Sequence, residues 1–125
     1  MAKFKSKHKN QEIDDGIRPY KTYATKIHID GDDNSIDAYP FENTLGATVT
    51  WTEVSLGLWE GTASSPVFTG PVGNSYKVFI SPERIYSPTS FSYIVIYHAS
   101  PTVIRIAQAD GVETAFFDLE IRVYR

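Results

Sequence analysis

The stretch that decides the fold is TAFFDLEIRVY, residues 114–124. Apolar side chains alternate along it with mostly polar ones, and the apolar set is Ala115, Phe117, Leu119, Ile121 and Val123. A period of two places successive side chains on opposite faces of a β-strand. The segment therefore predicts a strand with one face in a core and one in water. Its continuous apolar face further predicts a position inside a sheet, because such a face is a liability at an edge.

Similar β-rich segments precede it, separated by turn residues. We predict at least seven strands, at Tyr20–Ile29, 47–53, Leu58–Ala63, 75–80, 91–98, 102–108 and 114–124. Two tight hairpins are predicted, because SLG at 55–57 and DG at 110–111 supply the glycine that such turns favour. Proline and glycine predict loops at 64–74 and 81–90. We expect almost no helix, since no long segment has uninterrupted helical spacing.

These strands predict an all-β fold, an antiparallel β-sandwich of jelly-roll or Ig-like type. The segment 91–98 is apolar on both faces, which favours a strand covered from two sides. A chain of 125 residues with 42% hydrophobic residues has enough apolar side chains for one core. We therefore expect a single β-sandwich domain over residues 19–125.

Residues 1–18 predict a flexible basic N-terminal arm. The first ten residues carry four alternating lysines, Lys3, Lys5, Lys7 and Lys9, and no acidic residue. Three roles fit such an arm: a solubilising tail, a contact with neighbouring subunits and a nucleic-acid contact. Nucleic-acid binding has the least support, because the whole chain has a net charge of −3 and the role would rest on the arm alone.

Several classes of protein are disfavoured by what the sequence lacks. It has no cysteine, which removes disulfides, thiolate-bound zinc, iron–sulfur clusters and a cysteine nucleophile. The N-terminus shows no apolar run of the kind found in signal peptides, and nowhere do about 18 apolar residues run together. We expect neither a signal peptide nor a membrane span.

No constellation of residues predicts catalysis, a metal or a cofactor. The three histidines, His8, His28 and His98, lie in separate segments and form no spaced motif. The sequence DGDDN at 30–34 resembles the start of a calcium loop but has Ser35 and Phe41 where that loop needs glycine and glutamate. We interpret it as a turn in which Gly31 takes the positive φ, with a bound cation as the less favoured alternative.

Aromatic residues are numerous, with 8 Tyr, 7 Phe and 2 Trp. Such side chains either fill the core or contact a partner, because interfaces and sugar-binding surfaces also use them. Four of them are our candidates for a subunit interface or a glycan contact: Trp51, Trp59, Tyr86 and Tyr124.

The chain resembles a small β module of bacteriophage and prophage structural proteins. The resemblance rests on ENTLG at 42–46, VTW at 49–51, GLWEGT at 57–62 and LEIRVY at 119–124, and it extends over residues 20–125. It implies a non-enzymatic virion component, a capsid-associated, spike or fibre protein, that is assembled in the host cytoplasm. It also implies a homo-oligomer, with a trimer favoured, and contacts with other virion proteins. A short basic arm stands where the family has a virion domain, which leaves the position in the particle open.

A second class of function follows from the aromatic residues alone. A carbohydrate-binding module or host-surface adhesin would stack such rings on a host-surface glycan. An enzyme is the third and weakest hypothesis, because a fold alone confers no chemistry and no reactive site stands out.

Overall fold

A computed structural model of the chain describes residues 19–69, 77–86, 93–108 and 113–125, and these ranges contain nine β-strands. The strands are β1 (Tyr20–Ile29), β2 (Ile36–Asn43), β3 (Val49–Ser55), β4 (Leu58–Ala63), β5 (Val78–Ser81), β6 (Arg84–Tyr86), β7 (Tyr93–Ser100), β8 (Val103–Gln108) and β9 (Ala115–Tyr124). The predicted arm, residues 1–18, and the predicted hairpin at 110–111 lie outside the described residues.

The strands form two antiparallel sheets that enclose one core. The four-stranded sheet has the order β2-β1-β9-β5, and the five-stranded sheet has the order β3-β4-β8-β7-β6. Their facing side chains build a single cluster of buried apolar residues. The predicted β-sandwich is confirmed.

The segment that predicted the fold behaves as expected. β9 pairs with β1 on one side and β5 on the other, so it lies inside the sheet. Leu119, Ile121 and Val123 are buried in the core, and the residues between them face outward. The predicted hairpin between β3 and β4 is also present, and Gly57 takes a φ of 77° there.

Two strands were missed, and both are edge strands. β2 contains Pro40, and β6 is three residues long within the predicted loop 81–90. An edge strand tolerates proline because one side of its backbone has no partner strand. The prediction that the segment 91–98 is covered on two sides was also wrong. Ile94 and Ile96 are buried, but Tyr97 on the opposite face is exposed.

The turn before β2 links the two sheets. Its positive φ, 63°, belongs to Asn34 and not to Gly31, so that prediction was wrong. The buried Asn34 side chain donates from Nδ2 to Glu53 Oε2 (2.6 Å) and to the Ser55 carbonyl (3.0 Å). Its Oδ1 accepts from the Gly57 amide at 3.3 Å. The turn after β1 is thereby tied to the β3–β4 hairpin of the other sheet.

Candidate functional site

The two tryptophan candidates differ in exposure, because Trp59 is buried and Trp51 is half-buried. Trp59 is 0% exposed, and its Nε1 donates to the Asn34 carbonyl at 2.9 Å. A fully buried indole cannot contact a glycan or a subunit, so Trp59 is corrected to a core residue. Trp51 is half-buried: its ring lies against Gly61, and its Nε1 donates to the Tyr23 hydroxyl at 3.0 Å. The Gly61 position has no room for a larger side chain, because an added Cβ would lie 2.7 Å from that ring.

The two tyrosine candidates lie in different sheets. Tyr86 belongs to β6 of the five-stranded sheet and is 65% exposed. Tyr124 belongs to β9 of the four-stranded sheet and is half-buried, with its ring centroid 5.1 Å from that of Tyr20. The four predicted aromatic residues therefore do not form one site. The predicted arm residues Lys3, Lys5, Lys7 and Lys9 lie outside the described residues.

The outer side of β6, β7 and β8 carries the surface that we call the tyrosine face. Its side chains are those that alternate with the buried core residues of these strands: Arg84, Tyr86, Tyr93, Val95, Tyr97, Val103, Arg105 and Ala107. The rings of Tyr86 and Tyr93 are 5.9 Å apart between centroids. Arg84 Cζ lies 5.0 Å from the centre of the Tyr93 ring, within the range of a cation–π interaction. The tyrosine face is therefore a layer of aromatic and guanidinium groups.

A single ion pair borders the tyrosine face in the described part of the sheet. Arg105 Nε donates to Glu60 Oε2 on the neighbouring strand at 2.7 Å. Hydrogen bonds with Glu60 and with Tyr97 raise the pKa of Arg105 above its ordinary value, so this guanidinium stays charged. The pair fixes one cation beside the exposed ring of Tyr97.

The outer side of the four-stranded sheet is richer in charge, and we call it the carboxylate face. Its side chains include Lys26, His28, Tyr39, Phe41, Glu42, Phe79, Phe116, Asp118, Glu120 and Arg122. Lys26 Nζ lies 2.9 Å from Asp118 Oδ1, and Arg122 Nε lies 3.0 Å from Glu120 Oε2. Asp118 and Glu120 are thus each paired with a cation.

Aromatic rings frame these ion pairs. Phe116 is 75% exposed and stacks on His28, with ring centroids 4.1 Å apart. Arg122 Cζ lies 4.7 Å from the ring centre of Tyr20. Hydrogen bonds with Tyr124 and with Glu120 raise the pKa of Arg122 above its ordinary value. The guanidinium is therefore held in a fixed place on the face.

A depression of about 350 Å³ crosses the carboxylate face from β2 to the residues that end β5. Its lining is Ala24, Phe41, Glu42, Ser81, Pro82, Asp118, Leu119 and Glu120. Ala24 stands directly opposite both Glu42 and Glu120 in the sheet, so three strands contribute at one level. The depression brings together apolar rings and carboxylates.

Two further polar residues lie away from both faces, Asp33 in the turn after β1 and His98 in the buried interior. Asp33 in the turn accepts from the Ser35 amide at 3.0 Å, and its hydrogen bonds with Ser35 lower the pKa of its carboxyl. His98 is buried with both ring nitrogens unpartnered, and its ring centroid lies 6.5 Å from that of Phe68. Within the described ranges, no three histidine or acidic side chains gather as metal ligands would. The same residues form no helix long and apolar enough to cross a membrane.

The residues that line the depression were not among the predicted site residues. Phe41 and Glu42 belong to β2, the strand that Pro40 concealed. The signal available was the pair Tyr39 and Phe41, two aromatic residues at a spacing of two beside Ile36 and Ala38. The opposing residues are far away in sequence, so no local pattern pairs them with β2.

Comparisons with known proteins identify no relative: no family model, curated protein or solved structure matches the chain. The resemblance to phage structural modules therefore stays a prediction.

Proposed function

We propose that the protein is a non-enzymatic structural component of a phage virion, capsid-associated or part of a spike or fibre, that assembles with itself and with neighbouring virion subunits. The observation that supports self-assembly is the tyrosine face. Tyr86 and Tyr97 are exposed there beside two arginines. Large aromatic rings are usually buried, so two exposed rings on one face favour a partner surface that covers them. The resemblance at residues 42–62 and 119–124 supports the virion.

The composition of the tyrosine face is typical of an interface. Protein interfaces are enriched in aromatic residues and arginine and depleted in lysine and acidic residues. Energetically dominant contacts are most often made by Trp, Tyr and Arg. In the described part of the face, Tyr86, Tyr93 and Tyr97 lie beside Arg84 and Arg105. The tyrosines supply rigid rings at low cost in side-chain entropy, and the arginines supply charge-assisted donors.

The sheet is large enough to form a specific interface. Five strands are about 24 Å wide and six residues are about 20 Å long, which gives roughly 500 Å² on each partner. Two such surfaces bury about 1,000 Å², the lower limit for a specific protein interface. The tyrosine face on β6, β7 and β8 is the larger part of this area, so self-association would also bury the outer sides of β3 and β4, and the arm at residues 1–18 would add contacts to neighbouring subunits.

The test is the native mass of the full chain by light scattering, at two protein concentrations and two salt levels. We expect a trimer at the higher concentration that persists at high salt, because aromatic contacts are screened less than exposed charges. A chain lacking residues 1–18 should keep its fold and its trimer and attach less tightly to the particle. A monomer under every condition would contradict the proposal. A trimer that is lost at high salt would indicate that the basic arm, and not the tyrosine face, holds the subunits together.

A second candidate function, a host-surface adhesin, is favoured by the depression on the carboxylate face, where an exposed phenylalanine faces carboxylates. It is compatible with a virion protein, because the depression and the tyrosine face lie on opposite sides of the sandwich.

A further inference from the structure

We propose that the depression on the carboxylate face binds a short, neutral saccharide. The inference rests on the second candidate function, a host-surface adhesin, and does not depend on self-assembly through the tyrosine face on the opposite side of the sandwich. It rests on an exposed ring, a shallow apolar floor and two carboxylates that each pair with a cation.

Phe41 is the stacking platform. The register between β1 and β2 shifts at Ala24 and Thr25, and Phe41 is the residue without an opposing partner. Such a β-bulge redirects side chains, and here it brings both Phe41 and Glu42 to the depression. The Phe41 ring is 65% exposed. An exposed flat ring beside hydrogen-bond acceptors suits a sugar, which has apolar C–H faces and hydroxyl edges.

The floor and far wall of the depression are apolar and small. Ala24 provides a floor with a single methyl group, so a ring can approach the sheet closely. Pro82 lies at the opposite end from Phe41 and offers a second apolar ring. A volume of about 350 Å³ falls at the lower end of small-molecule pockets, which span about 300–1,000 Å³. The space therefore fits a short saccharide better than a large ligand.

The carboxylates favour neutral hydroxyl groups as ligands. Asp118 is paired with Lys26 and Glu120 with Arg122, so each already has its countercharge. A carboxylate has about four acceptor positions, and one ion pair leaves others for hydroxyl donors. Hydrogen bonds to a charged acceptor are stronger than neutral ones. A cationic ligand would instead compete with Lys26 and Arg122.

The same charges disfavour a protein partner on this face. Lysine and acidic residues are depleted in the centres of protein interfaces, because burial removes their hydration. The depression has Glu42, Asp118 and Glu120 in its lining. A second copy of the chain would have to desolvate these groups, whereas a saccharide replaces water with hydroxyls.

The test is titration of the full-length chain with four neutral disaccharides, cellobiose, maltose, lactose and mannobiose, by calorimetry and ligand-observed NMR. We expect at least one to bind saturably with a Kd near 1 mM, a binding free energy of about −4 kcal/mol. Saturation of aromatic protons should transfer to the sugar. Phe41→Ala should weaken that binding at least tenfold, and so should Glu120→Gln.

Phe116→Ala is the matched control, because Phe116 is a phenylalanine of the same sheet that is 75% exposed, against 65% for Phe41, and lies outside this depression. It should leave the affinity unchanged. Absence of saturable binding by all four probes up to about 20 mM, which corresponds to a binding free energy weaker than about −2.3 kcal/mol, would overturn the proposal. Equal losses in Phe41→Ala and Phe116→Ala would also overturn it. A lower native mass for Phe41→Ala than for the wild type would assign the carboxylate face to a protein contact and overturn the proposal. A monomeric wild type that binds sugar would refute only the proposed self-assembly through the tyrosine face.

Discussion

The two outer faces of the sandwich differ in how they satisfy their charged groups. On the carboxylate face, Lys26, Asp118, Glu120 and Arg122 form two pairs and leave acceptor positions open to water. On the tyrosine face, the arginines lie against rings or a single carboxylate. The first arrangement suits a ligand that brings hydroxyl groups, and the second suits a surface from which a protein partner excludes water.

In each strand of the sandwich, the residues that face inward build the core, and the residues that face outward are available for function. β7 and β9 both place aliphatic residues inward. Their outward residues share no such constraint, so one sheet can carry tyrosines and the other ion pairs. Substitutions can test this division between inward and outward residues, first in the core that both faces share.

The largest effect is expected from Trp59→Ala. Removing the buried indole leaves a cavity and should lower the free energy of unfolding by about 3–5 kcal/mol. Chemical denaturation, followed by circular dichroism, measures this loss. Trp51→Ala is the comparison, and it should cost less because Trp51 is only half-buried. Equal losses would contradict the assignment of Trp59 to the core.

Tyr97→Asp should separate the two faces. A charge near the centre of the tyrosine face should weaken self-association by about 2–4 kcal/mol, which is roughly 30- to 1,000-fold in the dissociation constant. Sedimentation equilibrium measures this constant. Phe116→Asp places the same charge on the carboxylate face and should leave self-association unchanged. Loss of association in Phe116→Asp alone would exchange the roles of the two faces.

Asn34 tests whether the two sheets act as one unit. Asn34→Ala removes the side-chain bonds to β3 and the β3–β4 hairpin and leaves a residue with a Cβ at positive φ. We expect a loss of about 2–3 kcal/mol in one cooperative transition. Asn34→Gly relieves the φ strain and should be less destabilising by about 1 kcal/mol. Two separate transitions in either variant would mean that the sheets unfold independently.

The smallest effects are expected from the exposed ion pairs. Lys26→Ala breaks a pair in which both side chains are largely exposed, so the free energy of unfolding should change by less than about 0.5 kcal/mol. Arg105→Ala should cost somewhat more than Lys26→Ala, because Glu60 is the more buried partner. Thermal unfolding at low and high salt compares them. A larger loss of unfolding free energy in Lys26→Ala than in Arg105→Ala would contradict the expectation that the less exposed ion pair contributes more to stability.

Local patterns in the sequence predicted the core strands, but the sites depended on distant pairings. The alternation in residues 114–124 predicted β9, and the glycine at 57 predicted the β3–β4 hairpin. Pro40 concealed β2, since its edge position was not visible locally. The depression joins Ala24 to Glu42 and Glu120 through strand register. Trp59 was misjudged as a surface candidate because the sequence does not show which aromatic rings face inward.

The most direct test of the central claim uses the absence of cysteine, which lets one introduced thiol report on each face. Val95→Cys places a thiol on the tyrosine face, and Phe116→Cys places one on the carboxylate face. The rate of maleimide labelling is measured for each variant in dilute and in concentrated protein. We predict that labelling of Val95→Cys slows at least tenfold on concentration while that of Phe116→Cys does not change. Unchanged labelling of both thiols, or protection of Phe116→Cys alone, would contradict self-assembly through the tyrosine face.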